Sequence, residues 1–173
     1  GKSALISALS SGEPEVNAYP FTTKRLHVGH FEHRRRIYQM VDTPGLLDRP
    51  MVERNDIEMQ AIAALENVGS IAVYLMDPSE SGGNSMLTQE NLLAEVTDML
   101  GDTPVLVVDG KMDLLGLKEG DSVNPDSGHI AISATEGWGL EELKSILIEK
   151  IGADIIEDPL ELPEGWHRKH RPD

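Results

Sequence analysis

The sequence predicts an α/β fold, a mostly parallel sheet with helices on both faces. Short apolar runs at Ile71 to Met76, Pro104 to Val108 and His129 to Ile132 are continuous rather than alternating, as in strands buried on both sides. Between them lie stretches whose apolar residues recur at helical spacing, and the runs pass into loops rich in Gly, Ser and Asp.

The elements follow in order. Ser3 to Ser10 reads as a short helix with Ala4, Leu5, Ala8 and Leu9 on one face, and Ser11 to Tyr19 as a polar loop. Lys24 to Phe31 and Ile37 to Val41 read as two strands joined by a charged turn. After a loop from Pro44, Asp48 and Pro50 are start signals for a helix reaching about Val68. The strand Ile71 to Met76 leads through a Ser/Gly loop to a helix from Gln89 to Leu100, with Leu92, Val96, Met99 and Leu100 inward. The two remaining apolar strands precede a helix from Leu140 to Ile151. Past Gly152 the periodicity fades, so residues 1–152 are expected to form the domain and residues 153–173 a loose tail.

The chain has 173 residues, which suits one domain, and a formal charge of −15. It has no cysteine, which excludes a disulfide partner, a thiolate zinc site and a cysteine nucleophile. No apolar stretch is long enough for a membrane span, so no membrane partner and a cytoplasmic location are expected. The total charge disfavours nucleic acid, but it is uneven. Residues 24–36 carry +4, from Lys24, Arg25, Arg34, Arg35 and Arg36 against Glu32, within a background of −19.

In an α/β sheet, ligands bind where strands end and loops begin. Gly1-Lys2-Ser3 stands directly before a helix and matches the second half of the phosphate-binding pattern G-x-x-x-x-G-K-[ST]. There backbone amides cradle phosphate oxygens, the lysine reaches the terminal phosphates and the hydroxyl ligates magnesium. Asp42-Thr43-Pro44-Gly45 ends a predicted strand, where an aspartate can hold magnesium through water and a glycine amide can reach a γ-phosphate. Thr22 and Thr23 lie between, and a loop threonine can complete a magnesium shell. Gly110-Lys111-Met112-Asp113 follows a strand. One carboxylate, Asp113, can accept both adjacent donors of guanine, and the stem of Lys111 can lie on the base. Ser133-Ala134 follows the last strand, where a backbone amide can bond the guanine oxygen. Each motif is short, but together they stand in the order of a GTP-binding domain.

These residues resemble the nucleolar GTP-binding protein family, in the Obg-like group of P-loop GTPases. The resemblance covers about residues 1–152. It is most specific at Tyr19-Pro20-Phe21-Thr22-Thr23-Lys24, at Val28-Gly29-His30-Phe31, and along Asp42-Thr43-Pro44-Gly45-Leu46-Leu47-Asp48-Arg49-Pro50 into Glu53-Arg54-Asn55 and Ile57-Glu58-Met59-Gln60. It implies a three-layer, small-GTPase-like P-loop domain that binds GTP and magnesium and hydrolyses GTP to GDP. Gly1, Lys2, Ser3, Thr22, Thr23, Asp42, Gly45, Lys111, Asp113, Ser133 and Ala134 would bind nucleotide, with Ser3, Thr23 and Asp42 at the metal and Lys2, Thr23 and Gly45 at the reacting phosphate. It also implies a role in assembly of the large ribosomal subunit, with ribosomal RNA meeting Lys24, Arg25, Arg34, Arg35 and Arg36. A domain that docks on the ribosome and binds nucleotide weakly without turnover is the alternative, and an ATP-using protein of the same fold is opposed by Asp113.

Three departures carry expectations. Leu46 stands where small GTPases often place a water-orienting glutamine, so slow intrinsic hydrolysis is expected. Gly110 replaces the asparagine that usually opens the base-reading motif, so GTP binding is expected to lose about 1–2 kcal/mol and Gly110→Asn to restore it. The chain opens inside the phosphate loop, so the first strand and the first part of that loop are expected to be lacking.

Overall fold

The computed structural model describes residues 1–18, 25–42 and 69–154, with positions 52, 56, 59 and 63 between them. Helix α1 (Lys2–Leu9) buries Leu5, Ile6 and Leu9, and closes with the Ser10 amide donating to the Ile6 carbonyl at 2.9 Å. Strands β1 (Glu15–Ala18), β2 (Arg25–His33) and β3 (Arg36–Asp42) form an antiparallel meander. Strand β1 lies inside the segment read from sequence as a loop. Glu-Val-Asn-Ala has little strand propensity of its own, and the register Glu15 to Val28 through Ala18 to Arg25 is supplied by its partner β2.

The β2–β3 turn is tight, with His33 paired to Arg36 and both central residues left-handed, Arg34 at φ 48° and Arg35 at φ 66°. Such turns usually take Asn-Gly, and two arginines there are strained. Gly29 of β2 is required by a close approach: an added Cβ would stand 2.7 Å from Ile6 Cγ2 and overlap Ser10 Oγ. This draws α1 onto the meander, whose same face carries the stacked rings of Phe31 and Tyr38, with centroids 5.0 Å apart.

The second sheet is parallel, in the order β4 (Ala72–Met76), β5 (Val105–Asp109), β6 (Ile130–Ala131). Its one face holds the core of Leu5, Leu9, Val108, Ile130, Ile132, Leu140, Leu143 and Leu147, contributed by α1, the sheet and the last helix α3 (Leu140–Asp154). Helix α2 (Met86–Leu100) covers the other face, where Tyr74 Oη donates to the Gln89 carbonyl at 2.9 Å. Three layers result, as expected, and α/β holds, with the parallel pairing confined to β4–β6 and the first three strands antiparallel.

Among the described residues β3 and β4 are edge strands of separate sheets, and the start of α1 lies at this seam. Ser3 touches Asp42 at the end of β3, and Gly1 lies beside Leu75 of β4. A P-loop sheet lacking a strand between β3 and β4 has this form. The expected helix to Val68 falls mostly outside the described residues, though positions 56, 59 and 63 are helical. Helix α3 continues to Asp154, and the remainder of the expected tail lies outside the described residues.

Candidate functional site

A cavity of about 410 Å³ opens where the ends of β4, β5 and β6 meet the start of α1. It is lined by Gly1 and Lys2, by Leu75 and Asp77, by Gly110, Lys111 and Asp113, and by Ala134 and Thr135, among others. Residues separated by more than a hundred positions thus share one space, because parallel strands deliver their following loops to the same edge.

At one end the Ser133 hydroxyl donates to Asp113 Oδ1 at 2.6 Å and accepts from the Glu136 amide at 3.1 Å. Ser133 is fully buried. Its backbone is clamped too: its carbonyl accepts from the amides of Gly137 and Trp138, and its amide donates to the Trp138 carbonyl. Trp138 closes the loop that holds Ser133, and the Leu143 amide donates to the Gly139 carbonyl as α3 begins. Asp113 is therefore positioned by the chain itself.

Next in the chain to Gly1 and Lys2, but outside the lining of the cavity, the Ser3 hydroxyl donates to Asp42 Oδ2 at 2.7 Å. Asp42 is buried, and its second oxygen, Oδ1, has no hydrogen-bond partner among the described residues. His27 Nδ1 lies 4.0 Å from Oδ2 and is likewise buried and unpaired among them. A hydroxyl beside a carboxylate with an unused buried oxygen is a donor set of the kind hard divalent cations take.

Lys111 has partners that the sequence did not point to. Its backbone is left-handed, at φ 58°, and its ammonium donates to Asp77 Oδ2 at 2.5 Å and to Ser81 Oγ at 2.7 Å. Asp77 also accepts from Ser79 Oγ and from the Gly82 amide at 3.0 Å. Burial pushes the Asp77 carboxyl up, but the hydrogen bonds from Lys111, Ser79 and Gly82 and the Lys111 charge outweigh it and hold the carboxyl below its ordinary value. The Asp77 backbone is fixed by Gln89, which accepts from the Asp77 amide at 2.6 Å and donates to its carbonyl at 3.0 Å. Sequence reading passed over Asp77, Ser79, Ser81, Gln89 and Leu75. The spacing of Asp77, Ser79 and Ser81, each two residues apart after a strand, was the available signal.

Thr22, Thr23, Gly45, Lys24 and Leu46 lie outside the described residues. Arg25 starts β2, and Arg34, Arg35 and Arg36 form the exposed tip of the β2–β3 hairpin.

The family model for nucleolar GTP-binding protein 1 matches residues 56–113. Nucleolar GTP-binding protein 1 of Encephalitozoon cuniculi is 42% identical over 117 residues, 68% of this chain and 22% of that protein. The chain belongs to the nucleolar GTP-binding protein family. An uncharacterised protein of Methanocaldococcus jannaschii is 46% identical over 115 residues, 66% of this chain and 31% of its own length. The crystal structure of a Plasmodium falciparum chain described as nucleolar GTP-binding protein 1 superposes with a TM-score of 0.73 at 28% identity, covering 89% of this chain and 81% of that one. This chain spans about a third or less of the length of the curated relatives it matches. The family overturns the cytoplasmic location expected from sequence, because relatives from Encephalitozoon cuniculi and Drosophila melanogaster are named as nucleolar. Compartment is set by targeting signals and partners, to which bulk charge and cysteine count are blind. No helix among the described residues is long and apolar enough to cross a membrane.

Proposed function

We propose that this chain carries the nucleotide site of a GTPase that acts in assembly of the large ribosomal subunit. The observation supporting it is the single cavity shared by Gly1, Lys2, Gly110, Lys111, Asp113 and Ala134. Asp113, held by Ser133, accepts the two adjacent donors on guanine, and the Ala134 backbone amide donates to the base oxygen. The phosphates lie toward Gly1, Lys2 and Ser3, where the amides at the start of α1 and the Lys2 ammonium counter their charge.

Ser3 and Asp42 fit magnesium by their chemistry, and Thr23 would join them. Bound there, the ion would neutralise charge on the β- and γ-phosphates. Water attacks the γ-phosphate, with Lys2, Thr23 and the Gly45 amide holding the transferring group. Leu46 offers no water-orienting polar group, so turnover is slow until a partner supplies one. The hairpin tip of Arg34, Arg35 and Arg36 is the surface for ribosomal RNA, and its two strained arginines support a role beyond the turn itself.

The test is a GTP titration with ATP as competitor, followed by single-turnover hydrolysis with and without large ribosomal subunits. GTP-selective binding with subunit-stimulated turnover is expected. Selective binding without turnover in either condition leaves the docking reading, and equal binding of ATP removes the guanine assignment.

A further inference from the structure

Gly110 breaks the base-reading motif, and its surroundings say why a side chain is missing there. Its φ lies outside the left-handed region, so the backbone does not demand glycine. Space does. An added Cβ would stand 2.9 Å from Leu75 Cδ1, 3.4 Å from Leu75 Cγ and 3.3 Å from the Met76 carbonyl oxygen. The Gly110 amide already donates to that carbonyl at 2.9 Å, which fixes the two backbones together. The other methyl of the same leucine, Cδ2, lies 3.6 Å from where a Cβ on Gly1 would be. Gly1, Leu75 and Gly110 line one cavity, and Leu75 is packed against the core beneath it.

We propose that Leu75 is a positioning residue of the nucleotide site: its side chain fills the space of the absent residue-110 side chain and joins the phosphate end of the cavity to the base-reading loop by apolar contact. The inference rests on the GTP-binding reading and deepens it. Where an asparagine at 110 would tie the two loops by hydrogen bonds, this chain ties them by packing. Leu75 and Gly110 are then a matched pair, and a change at one is felt through the other. On this proposal Gly110→Asn by itself does not tighten GTP binding, contrary to the expectation from sequence. The new side chain must displace Leu75 before it can reach anything, and overfilling a packed site is destabilising.

The test is a double-mutant cycle in the full chain with Leu75→Ala, Gly110→Asn and the pair, and with Gly110→Ala as a gentler second series. Melting temperature without nucleotide and affinity for a fluorescent GTP analogue are both read. Gly110→Asn alone is expected to weaken the analogue about tenfold and to lower the melting temperature. In the Leu75→Ala background the same substitution is expected to be neutral or favourable in both readouts. Gly110→Ala should follow the same reversal in melting temperature, since a lone Cβ meets Leu75 as well. Equal effects in both backgrounds, or tighter binding by Gly110→Asn with Leu75 in place, overturn the proposal. If the unaltered protein binds no GTP analogue, the functional reading falls, and the melting cycle still decides whether Leu75 and Gly110 are coupled.

Discussion

At the base-reading end of the cavity Asp113 accepts a 2.6 Å hydrogen bond from a buried serine whose own backbone is clamped by Trp138. Beside the start of α1, Asp42 is buried, yet one of its oxygens is unpaired among the described residues. The first carboxylate is held by a clamped serine, and the second, bonded through Oδ2 to the Ser3 hydroxyl, keeps an Oδ1 that no described residue engages. Asp42 is buried and Asp113 only half-buried, so the difference lies in burial as well as in local partners. A pre-paired group recognises its ligand at little cost in reordering, whereas a group with an unmet oxygen gains most when a cation arrives.

The sharpest way to break the comparison is Asp113→Asn. An amide presents a donor where guanine presents two, so GTP affinity should fall on the order of 10³-fold, while the weak binding of ATP barely changes. Competition titrations against a fluorescent GTP analogue measure both. Unchanged GTP affinity would place base recognition elsewhere and remove the meaning given to the Ser133 contact.

A smaller effect is expected from Asp42→Asn, and of a different kind. Replacing a carboxylate that only partly satisfies its acceptors should leave the melting temperature of the nucleotide-free protein unchanged or raised. GTP affinity in magnesium should fall roughly 10- to 100-fold, with little change in excess chelator. An equal loss with and without magnesium would mean that Asp42 supports the fold and not a cation.

Much of this arrangement was legible in the sequence for a physical reason. Parallel strands are written as continuous apolar runs, and their loops must emerge at one edge, so Gly1, Lys2, Lys111, Asp113 and Ala134 could be placed together before any contact was known. What escaped depends on partners rather than on local pattern. Strand β1 exists because β2 offers an edge to Glu15–Ala18. Gln89 reads as an ordinary first residue of an amphipathic helix, but it is buried and bonds the Asp77 and Asn84 backbones. Lys111 fits the base-reading motif, yet its ammonium is engaged by Asp77 and Ser81. The fit between Leu75 and Gly110 is a matter of ångströms between atoms that no periodicity records.

The smallest effect probes whether the pre-paired end extends to the loop after β4. There Asp77 receives Lys111, Ser79, Ser81 and the Gly82 amide, and its carboxyl titrates below its ordinary value. A carboxyl held lower in the folded than in the unfolded chain adds stability that is fully present above the unfolded value, about 3.9 for aspartate, and is lost as pH falls through the folded value. Asp77→Asn should therefore cost about 1 kcal/mol near neutrality, read from denaturant midpoints, because Lys111 loses a charged acceptor. The gap between variant and unaltered protein should close in acid, below the folded titration. A gap that persists unchanged into acid would trace to packing of the loop and not to the ion pair. GTP affinity should fall with the neutral-pH stability while magnesium dependence stays the same, since the change touches the base-reading end and leaves Ser3 and Asp42 in place.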